Sequence, residues 1–346
     1  MKFLRVILYP LVPVYALIIN LRNRLFDIGK FKSKKVDAFV ISVGNITVGG
    51  SGKTPMVIYL TNLLKEKGRK VGVLSRGYGR TTNGYKLVSD GDKFFVKVNE
   101  SGDEIYHTVL ECKVPAAVCE NRVVGARQLI NDTGVDTIVL DDAFQHRWIK
   151  RNLDIVIIAQ DFLHDKSFCN NNLLPTGNMR ENFKSLNRAD AIIINRKFKE
   201  NKKIPAEKMK YFEGKKIFTA KYDAISFMDV AKRDEYLLKD FEGQKSLVVS
   251  GIANPDSFLN VLKQNNIDTT NKLIFKDHKN YNLKEIQLIR KQFYTTNSHS
   301  VVTTEKDAVK LMNFAKEFDD IDIFFLKIKL TMDDPLSFGN FVLNFN

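Results

Sequence analysis

The sequence predicts an α/β protein built on a doubly wound, mostly parallel sheet, with a second, smaller α/β domain. Three observations predict it. Short apolar runs rich in β-branched residues alternate with helical patterns over about the first 200 residues. A glycine-rich turn follows the first of these runs, and the pattern changes after Lys221. Strands separated by helix-length segments need crossover connections, and such connections wire parallel sheets.

Taken in order, residues 3–20 (FLRVILYPLVPVYALIIN) are strongly apolar but carry Arg5, Pro10 and Pro13. The stretch is shorter than the roughly 20 residues a spanning helix needs. No small-residue cleavage site follows it, as a signal peptide would require. Lys2 and Arg5 before it and Arg22 and Arg24 after it leave no orientation signal. Residues 1–24 are therefore expected to form a kinked segment lying in the headgroup region of a membrane, basic flanks near lipid phosphates. The alternative is an ordinary buried helix.

Residues 25–220 are expected to form a nucleotide-binding domain. The run 38–43 (AFVISV) reads as a buried strand, followed by Gly44-Asn45-Ile46-Thr47-Val48 and then Gly49-Gly50-Ser51-Gly52-Lys53-Thr54, Pro55 and an amphipathic stretch to Lys67. Strand, glycine loop and helix form the setting of a phosphate-binding loop, so the domain is P-loop NTPase-like. Glycines let backbone N–H groups turn onto phosphates, and the following helix N-terminus adds its field. Gly49 to Thr54 are expected to bind ATP, with Lys53 on the β- and γ-phosphates and Thr54 on Mg2+. The usual spacing places a glycine where this chain has Thr47.

The run 135–140 (VDTIVL) is a strand ending in Asp141-Asp142, which suits the metal-ordering carboxylate of such a site. Two adjacent carboxylates at the end of a buried strand need a cation or donors; the alternative is a turn with capping aspartates. Further strands are expected at 70–75, leading into Arg76-Gly77-Tyr78-Gly79-Arg80, and at 155–159 and 191–195. The ligand site of such a sheet lies at the carboxyl ends of its strands.

After Lys221 a smaller domain, 221–346, is expected to close over the site. It has strands at 246–250 and 321–330, a turn at Gly251–Pro255 leading into a helix, and a strand-to-helix junction at 301–307.

Bulk properties bound the rest. The 346 residues are 44% hydrophobic and 27% charged, close to globular averages. Cys112, Cys119 and Cys169 are expected as reduced thiols, with no metal-ligand spacing. The net charge of +14 admits nucleic acid, an anionic membrane face or an anionic small molecule as partner. Lys and Arg are spread along the whole chain, however, and no nucleic-acid-binding signature accompanies them, so no nucleic-acid partner is expected. No obligate protein partner is evident either.

Several motifs then occur in series: Ser42-Val43-Gly44-Asn45 running into Gly49–Pro55, Ser75-Arg76-Gly77-Tyr78-Gly79, and Gly102-Asp103-Glu104. Asp141-Asp142-Ala143-Phe144-Gln145-His146, Leu173-Leu174-Pro175-Thr176-Gly177 with Arg180-Glu181, and Phe275-Lys276-Asp277-His278 follow. Together they resemble the tetraacyldisaccharide 4'-kinase family of lipid A biosynthesis, over nearly the whole chain. Two departures are Ala143, where the family usually has Gly, and Asn121-Arg122, where it has Asp-Arg.

The resemblance implies ATP-dependent phosphorylation of the 4'-hydroxyl of a tetraacyl glucosamine disaccharide 1-phosphate. The protein would sit at the cytoplasmic face of the inner membrane, peripheral or monotopic. The resemblance also implies that Asp103 is the general base and His278 its partner, meeting across an interdomain cleft. On residues alone, Asp103 reads as a turn aspartate and His278 as a surface histidine. Glu181 is expected to add a carboxylate at the metal; the alternative is an exposed helix-start acid. Arg76, Arg80, Arg122 and Arg147 are candidates for gripping anionic groups, because a planar guanidinium suits phosphate oxygens. Gln145 joins Arg76, Arg122 and Arg147 on the expected substrate side.

Three rival readings remain: a soluble kinase for a small metabolite, a membrane-associated NTPase switch and, favoured only by the net charge, a nucleic-acid ATPase. In the second, guanine recognition asks for N-K-x-D, and Asn195-Arg196-Lys197-Phe198 lacks the Asp.

Overall fold

A computed structural model of the chain describes residues 8–167, 171–252, 254–277 and 279–345. The chain divides into two compact units, Met1–Lys221 with Leu330–Asn346, and Tyr222–Lys329.

The first unit is the doubly wound sheet. Its strands are β1 (Phe39–Gly44), β2 (Val71–Ser75), β3 (Lys86–Asp90), β4 (Pro115–Val118), β5 (Thr137–Asp141), β6 (Leu153–Ala159), β7 (Ala191–Asn195) and the start of β8 (Lys216–Asp229). In space they run β8-β7-β6-β1-β5-β2-β4-β3. Every neighbouring pair is parallel except edge strand β3, which runs antiparallel to β4. β1 lies between β5 and β6, with Val43 opposite Asp141. The chain goes out through β2 to edge strand β3 and returns through β4 to β5 on one flank of β1, then winds outward through β6, β7 and β8 on the other. The carboxyl end of β1 is therefore the switch point where such sheets open a ligand crevice.

The sequence explains why these elements form. β1, β2, β5 and β7 are apolar and buried on both faces, as strands covered by helices on each side must be. Helix α1 of the amino terminus is Leu11–Asp27. Helix α2, Lys53–Glu66, buries Met56, Val57, Leu60, Thr61 and Leu64, one stripe at helical spacing. Each large apolar side chain of that stripe contributes roughly 1.5–3 kcal/mol. Helices α3 (Asp103–Cys112) and α4 (Arg122–Thr133) follow. α4 opens on the side chain of Asn121, which accepts the Val123 and Val124 N–H groups, and closes on Gly134.

The second unit has its own parallel strands, β10 (Ser246–Ser250), β11 (Asn271–Ile274), β12 (Ser300–Thr304) and β13 (Ile323–Met332), ordered β11-β10-β12-β13. The short β9 (Glu235–Tyr236) pairs with the far half of β8. Helices α5 (Pro255–Gln264), α6 (Leu283–Thr295) and α7 (Glu305–Leu311) belong to it. Its core includes Leu247, Val249, Ile286, Ile289, Val301 and Phe325.

Two expectations are corrected. Residues 330–346, expected with the smaller domain, belong to the first unit. There α8 (Pro335–Leu343) buries Phe338, whose ring meets Phe218 edge-on at 5.1 Å and Tyr59 at 6.0 Å. The amino-terminal segment is also not kinked at Pro13. That proline is in the first turn of α1, where a missing N–H breaks no helical bond, so it starts the helix instead of bending it. The beginning of the expected membrane segment, residues 1–7, is outside the described residues. Among the described residues no helix is long and apolar enough to cross a membrane.

Candidate active site

The phosphate loop is built by φ angles that only glycine adopts cheaply. Gly49, Gly50 and Gly52 stand at φ 74°, 44° and 101°, and Gly52 caps α2. The loop is braced from two sides: Asn45 Nδ2 donates to Ser51 Oγ at 2.9 Å, and Asn195 Nδ2 donates to the Ser51 carbonyl at 3.0 Å. The missing glycine at Thr47 has a physical account. Thr47 bridges Met179 in antiparallel fashion, and Val48 N–H donates to the Asn178 carbonyl at 2.7 Å. The backbone there is a short strand pairing, which needs no glycine. Thr54, second residue of α2, is half-buried.

Asp141 and Asp142 end β5 beside this loop and play different parts. Asp141 is buried. Its Oδ2 accepts from Ser75 Oγ at 3.2 Å, while Oδ1 is buried with no hydrogen-bond partner. Burial, with the charges of Glu104 and Asp142 added, pushes its carboxyl well above the usual range. Asp142 turns outward at φ 49°, with both carboxylate oxygens 2.8 Å from Arg180 Nη1 and Oδ1 3.8 Å from Lys53 Nζ. Burial would raise this carboxyl too, but Lys53 and Arg180 outweigh it and hold it low.

The turn carrying these acids is clamped from behind. Arg151 Nη1 donates to the carbonyls of Ala143, Phe144 and His146 at 3.0, 3.2 and 3.4 Å, and Nη2 pairs with Asp154 at 3.0 Å. Gly44 lets β1 reach this turn: a Cβ there would stand 2.6 Å from Phe144 Cβ. Gln145 Nε2 donates to the Asn45 carbonyl at 2.8 Å, tying the acidic turn to the phosphate loop.

Asp103 opens α3, directly after Gly102 at φ 94°. A Cβ on Gly102 would stand 2.9 Å from the Tyr78 carbonyl, and one on Gly77 would stand 2.9 Å from the Ser101 carbonyl. The loop after β2 and the turn before Asp103 thus approach to a distance only glycine permits, fixing Asp103 near the ends of β2 and β5.

Other expected site residues are placed elsewhere or otherwise engaged. Glu181, expected at the metal, is buried with its oxygens taken by Asn23 Nδ2 at 3.0 Å, Arg188 at 2.7 Å and Arg22 at 3.5 Å. Three donors already satisfy it, so it fastens α1 to the body. Arg147, expected at substrate, donates to the Asn23 carbonyl at 3.0 Å and to Asp27 at 2.7 Å, and stacks over Phe26. Arg122 is buried, donating to the Cys119 carbonyl at 2.8 Å and to that of Asp141 at 3.4 Å, and burial lowers its pKa to about 10. It underpins the acidic turn and exposes no face to a substrate. Arg80 pairs with Glu120, while Arg76 is exposed. His278 is outside the described residues. Cys112 and Cys119 are buried free thiols.

Three residues not singled out at first belong to the site. Arg180 holds Asp142, Arg151 holds the turn, and Glu104 acts on Asp141 through its charge. Arg180 and Glu104 stand next to residues that were singled out, a usable signal; Arg151 has none in the sequence.

α1 lies on this side of the unit: Tyr15 donates its hydroxyl to the Arg180 carbonyl at 3.0 Å. Its other face, Leu11, Val14, Leu17, Ile18 and Leu21, is exposed.

Residues 4–345 match the family model for tetraacyldisaccharide-1-P 4'-kinase, LpxK. Among curated relatives, the tetraacyldisaccharide 4'-kinase of Chlorobium phaeovibrioides is 34% identical over 316 residues, covering 89% of this chain and 87% of that one. That of Aquifex aeolicus is 33% identical over 334 residues, covering 96% and 97%. A crystal structure of LpxK from Aquifex aeolicus in complex with ATP superposes with a TM-score of 0.78 at 30% identity, covering 99% of this chain and all of that one. The chain belongs to the tetraacyldisaccharide 4'-kinase family.

Proposed function

We propose that this protein transfers the γ-phosphate of ATP to the 4'-hydroxyl of a tetraacyl glucosamine disaccharide 1-phosphate at the cytoplasmic face of a membrane. The observation that carries it is the convergence at the end of β1: a glycine-built phosphate loop, Lys53 facing Asp142 at 3.8 Å, and Asp103 held close by. Family membership supplies the acceptor, and the ATP complex of the Aquifex relative supports the donor.

In this reading the loop N–H groups and Lys53 neutralise charge on the transferring phosphoryl group, which is most of what phosphoryl transfer asks of a protein. Asp103 accepts the proton of the attacking hydroxyl. On the resemblance alone, His278 assists that proton transfer. Arg76 is the exposed guanidinium nearest in sequence to this loop-and-turn contact and is assigned to an anionic group of the substrate.

The residues present fit a divalent cation. Asp141 Oδ1 is a buried oxygen without a donor, which a cation would satisfy. Among the described residues no three acid, His or Cys side chains form a metal group. Mg2+ asks for less, since phosphates and water complete its shell around one or two carboxylates. Thr54, Asp141 and Asp142 would hold it, and it would screen the charge between the β- and γ-phosphates.

The exposed stripe of α1 suits insertion at a membrane surface, because an ordinary buried helix would hide those side chains. The net charge of +14 adds attraction to anionic lipid.

Incubation of the purified protein with γ-labelled ATP and the lipid disaccharide tests the proposal. Label is expected on the lipid. Release of label only as inorganic phosphate would instead support a switch and refute the transfer.

A further inference from the structure

The loop after β2, residues 76–84, borders the turn that aims Asp103, and one buried guanidinium organises it. The sequence offers Arg80 as an anion-binding residue, yet its side chain is only 3% exposed. It runs beneath Gly77: a Cβ on Gly77 would stand 2.5 Å from Arg80 Cδ and 3.0 Å from Nε. At its end Nη2 pairs with Glu120 and donates to the Gly84 carbonyl at 2.7 Å. Glu120 closes the same loop a second time, its Oε2 accepting the Gly84 N–H at 3.1 Å.

Glu120 is a fixed post two residues past β4. The Cys119 N–H donates to the Ser75 carbonyl at 3.0 Å, and Arg122 Nη1 donates to the Cys119 carbonyl at 2.8 Å. From this post the loop reaches the residues that precede α3. Thr81 donates its N–H and its hydroxyl to the Asn99 carbonyl at 2.8 and 3.1 Å, and Thr82 donates its hydroxyl to the Glu100 carbonyl at 2.6 Å. Two residues further on, the close approach of Gly77 to Ser101 and of Gly102 to Tyr78 joins the segments again. A continuous set of contacts thus runs from the end of β4 through Glu120, Arg80 and the loop to Asp103.

Simple stabilisation explains this poorly. Nε and Nη1 of Arg80 are buried with no hydrogen-bond partner among the described residues. Each buried donor left unsatisfied costs about 1–3 kcal/mol, and an apolar side chain of similar volume would fill the space without that cost. What the guanidinium adds is direction, because its planar fork fixes the groups it bonds in one geometry. We propose that Arg80, held by Glu120, is a positioning residue for the proton transfer: it sets the loop that aims Asp103 and itself touches neither ATP nor the lipid. A misplacement of about 1 Å at a reacting group costs about 10²-fold in rate, so a slack loop is enough to slow the step.

This role rests on reading Asp103 as the base, and the experiment separates the two. Single-turnover transfer from γ-labelled ATP to the lipid disaccharide and calorimetric ATP affinity are measured on the full chain. The variants are Asp103→Asn, and Arg80→Met and Glu120→Gln, each alone and combined with Asp103→Asn. Arg80→Met is expected to slow transfer about 10- to 100-fold and Glu120→Gln about 3- to 10-fold, with ATP affinity within about twofold of wild type. In the Asp103→Asn background each is expected to add less than about twofold, since a residue acting through Asp103 has nothing left to position. The full loss repeated in that background would show a purely structural role and overturn the inference, as would wild-type transfer in both Arg80→Met and Glu120→Gln. Wild-type transfer in Asp103→Asn would instead overturn the reading of the base. Ligand-free thermal unfolding checks that each variant is folded, and Glu120→Gln, altered at a carboxylate 42% exposed, carries the test if Arg80→Met does not fold.

Discussion

Arg151 and Asp154 form a buried ion pair at 3.0 Å, and the same guanidinium gathers three carbonyls of the turn that carries Asp142. Neither residue faces the phosphate loop, yet the pair governs where the acids stand. Removing one partner leaves an uncompensated buried charge. Arg151→Met is therefore expected to lower stability by about 3–5 kcal/mol, and Arg151→Met with Asp154→Asn by less. Urea unfolding of both variants checks this; equal losses would show that the charge pair is not what stabilises the turn.

Lys53→Ala removes charge stabilisation made at the transferring phosphoryl group, for a loss in kcat on the order of 10²–10³-fold or more. Full activity in this variant would be incompatible with the site described.

Asp103→Asn is expected to lower kcat by about 10²–10⁴-fold with ATP affinity nearly unchanged. Gly102→Ala should act on the same step, because its Cβ would stand 2.9 Å from the Tyr78 carbonyl and must displace the turn that aims Asp103. Steady-state kinetics with calorimetric ATP binding tests both; a loss confined to ATP binding would place Asp103 elsewhere in the reaction.

His146 gives the fold a pH dependence. Burial first, then the charges of Arg122 and Arg151, lowers its pKa to about 4. Between the unfolded value near 6.5 and the folded value near 4, the unfolded chain binds the extra proton. Stability from this group is therefore complete above the unfolded value and falls as pH drops through that window. Wild-type minus His146→Gln unfolding free energy, measured from pH 4 to 7, should fall with acidity; a flat difference would remove His146 from the account.

Leu17 and Ile18 are 68% and 60% exposed on α1. Leu17→Glu with Ile18→Glu is expected to cut binding to anionic vesicles about tenfold or more while soluble ATP binding persists. Vesicle flotation that is unchanged would return α1 to the role of a packing helix.

What the sequence determined by itself is local. A run of β-branched residues, a glycine triplet and a helical stripe each declare their structure within a few positions, so β1, the phosphate loop, α2 and Asp141-Asp142 were all legible. So was the family, from motifs in series. The tertiary structure decided which distant groups share an environment. Glu181 reads as a metal acid until Asn23, 158 positions away, is found holding it. Arg122 and Arg147 read as free guanidiniums until burial and backbone carbonyls claim them. Arg80 reads as a guanidinium for an anionic ligand until Glu120, 40 positions away, takes it. Hydrogen bonds and ion pairs of this kind depend on three-dimensional proximity, which carries no period or spacing in the chain. The phosphate loop could thus be read from the sequence, but the partners that give its neighbours their roles could not.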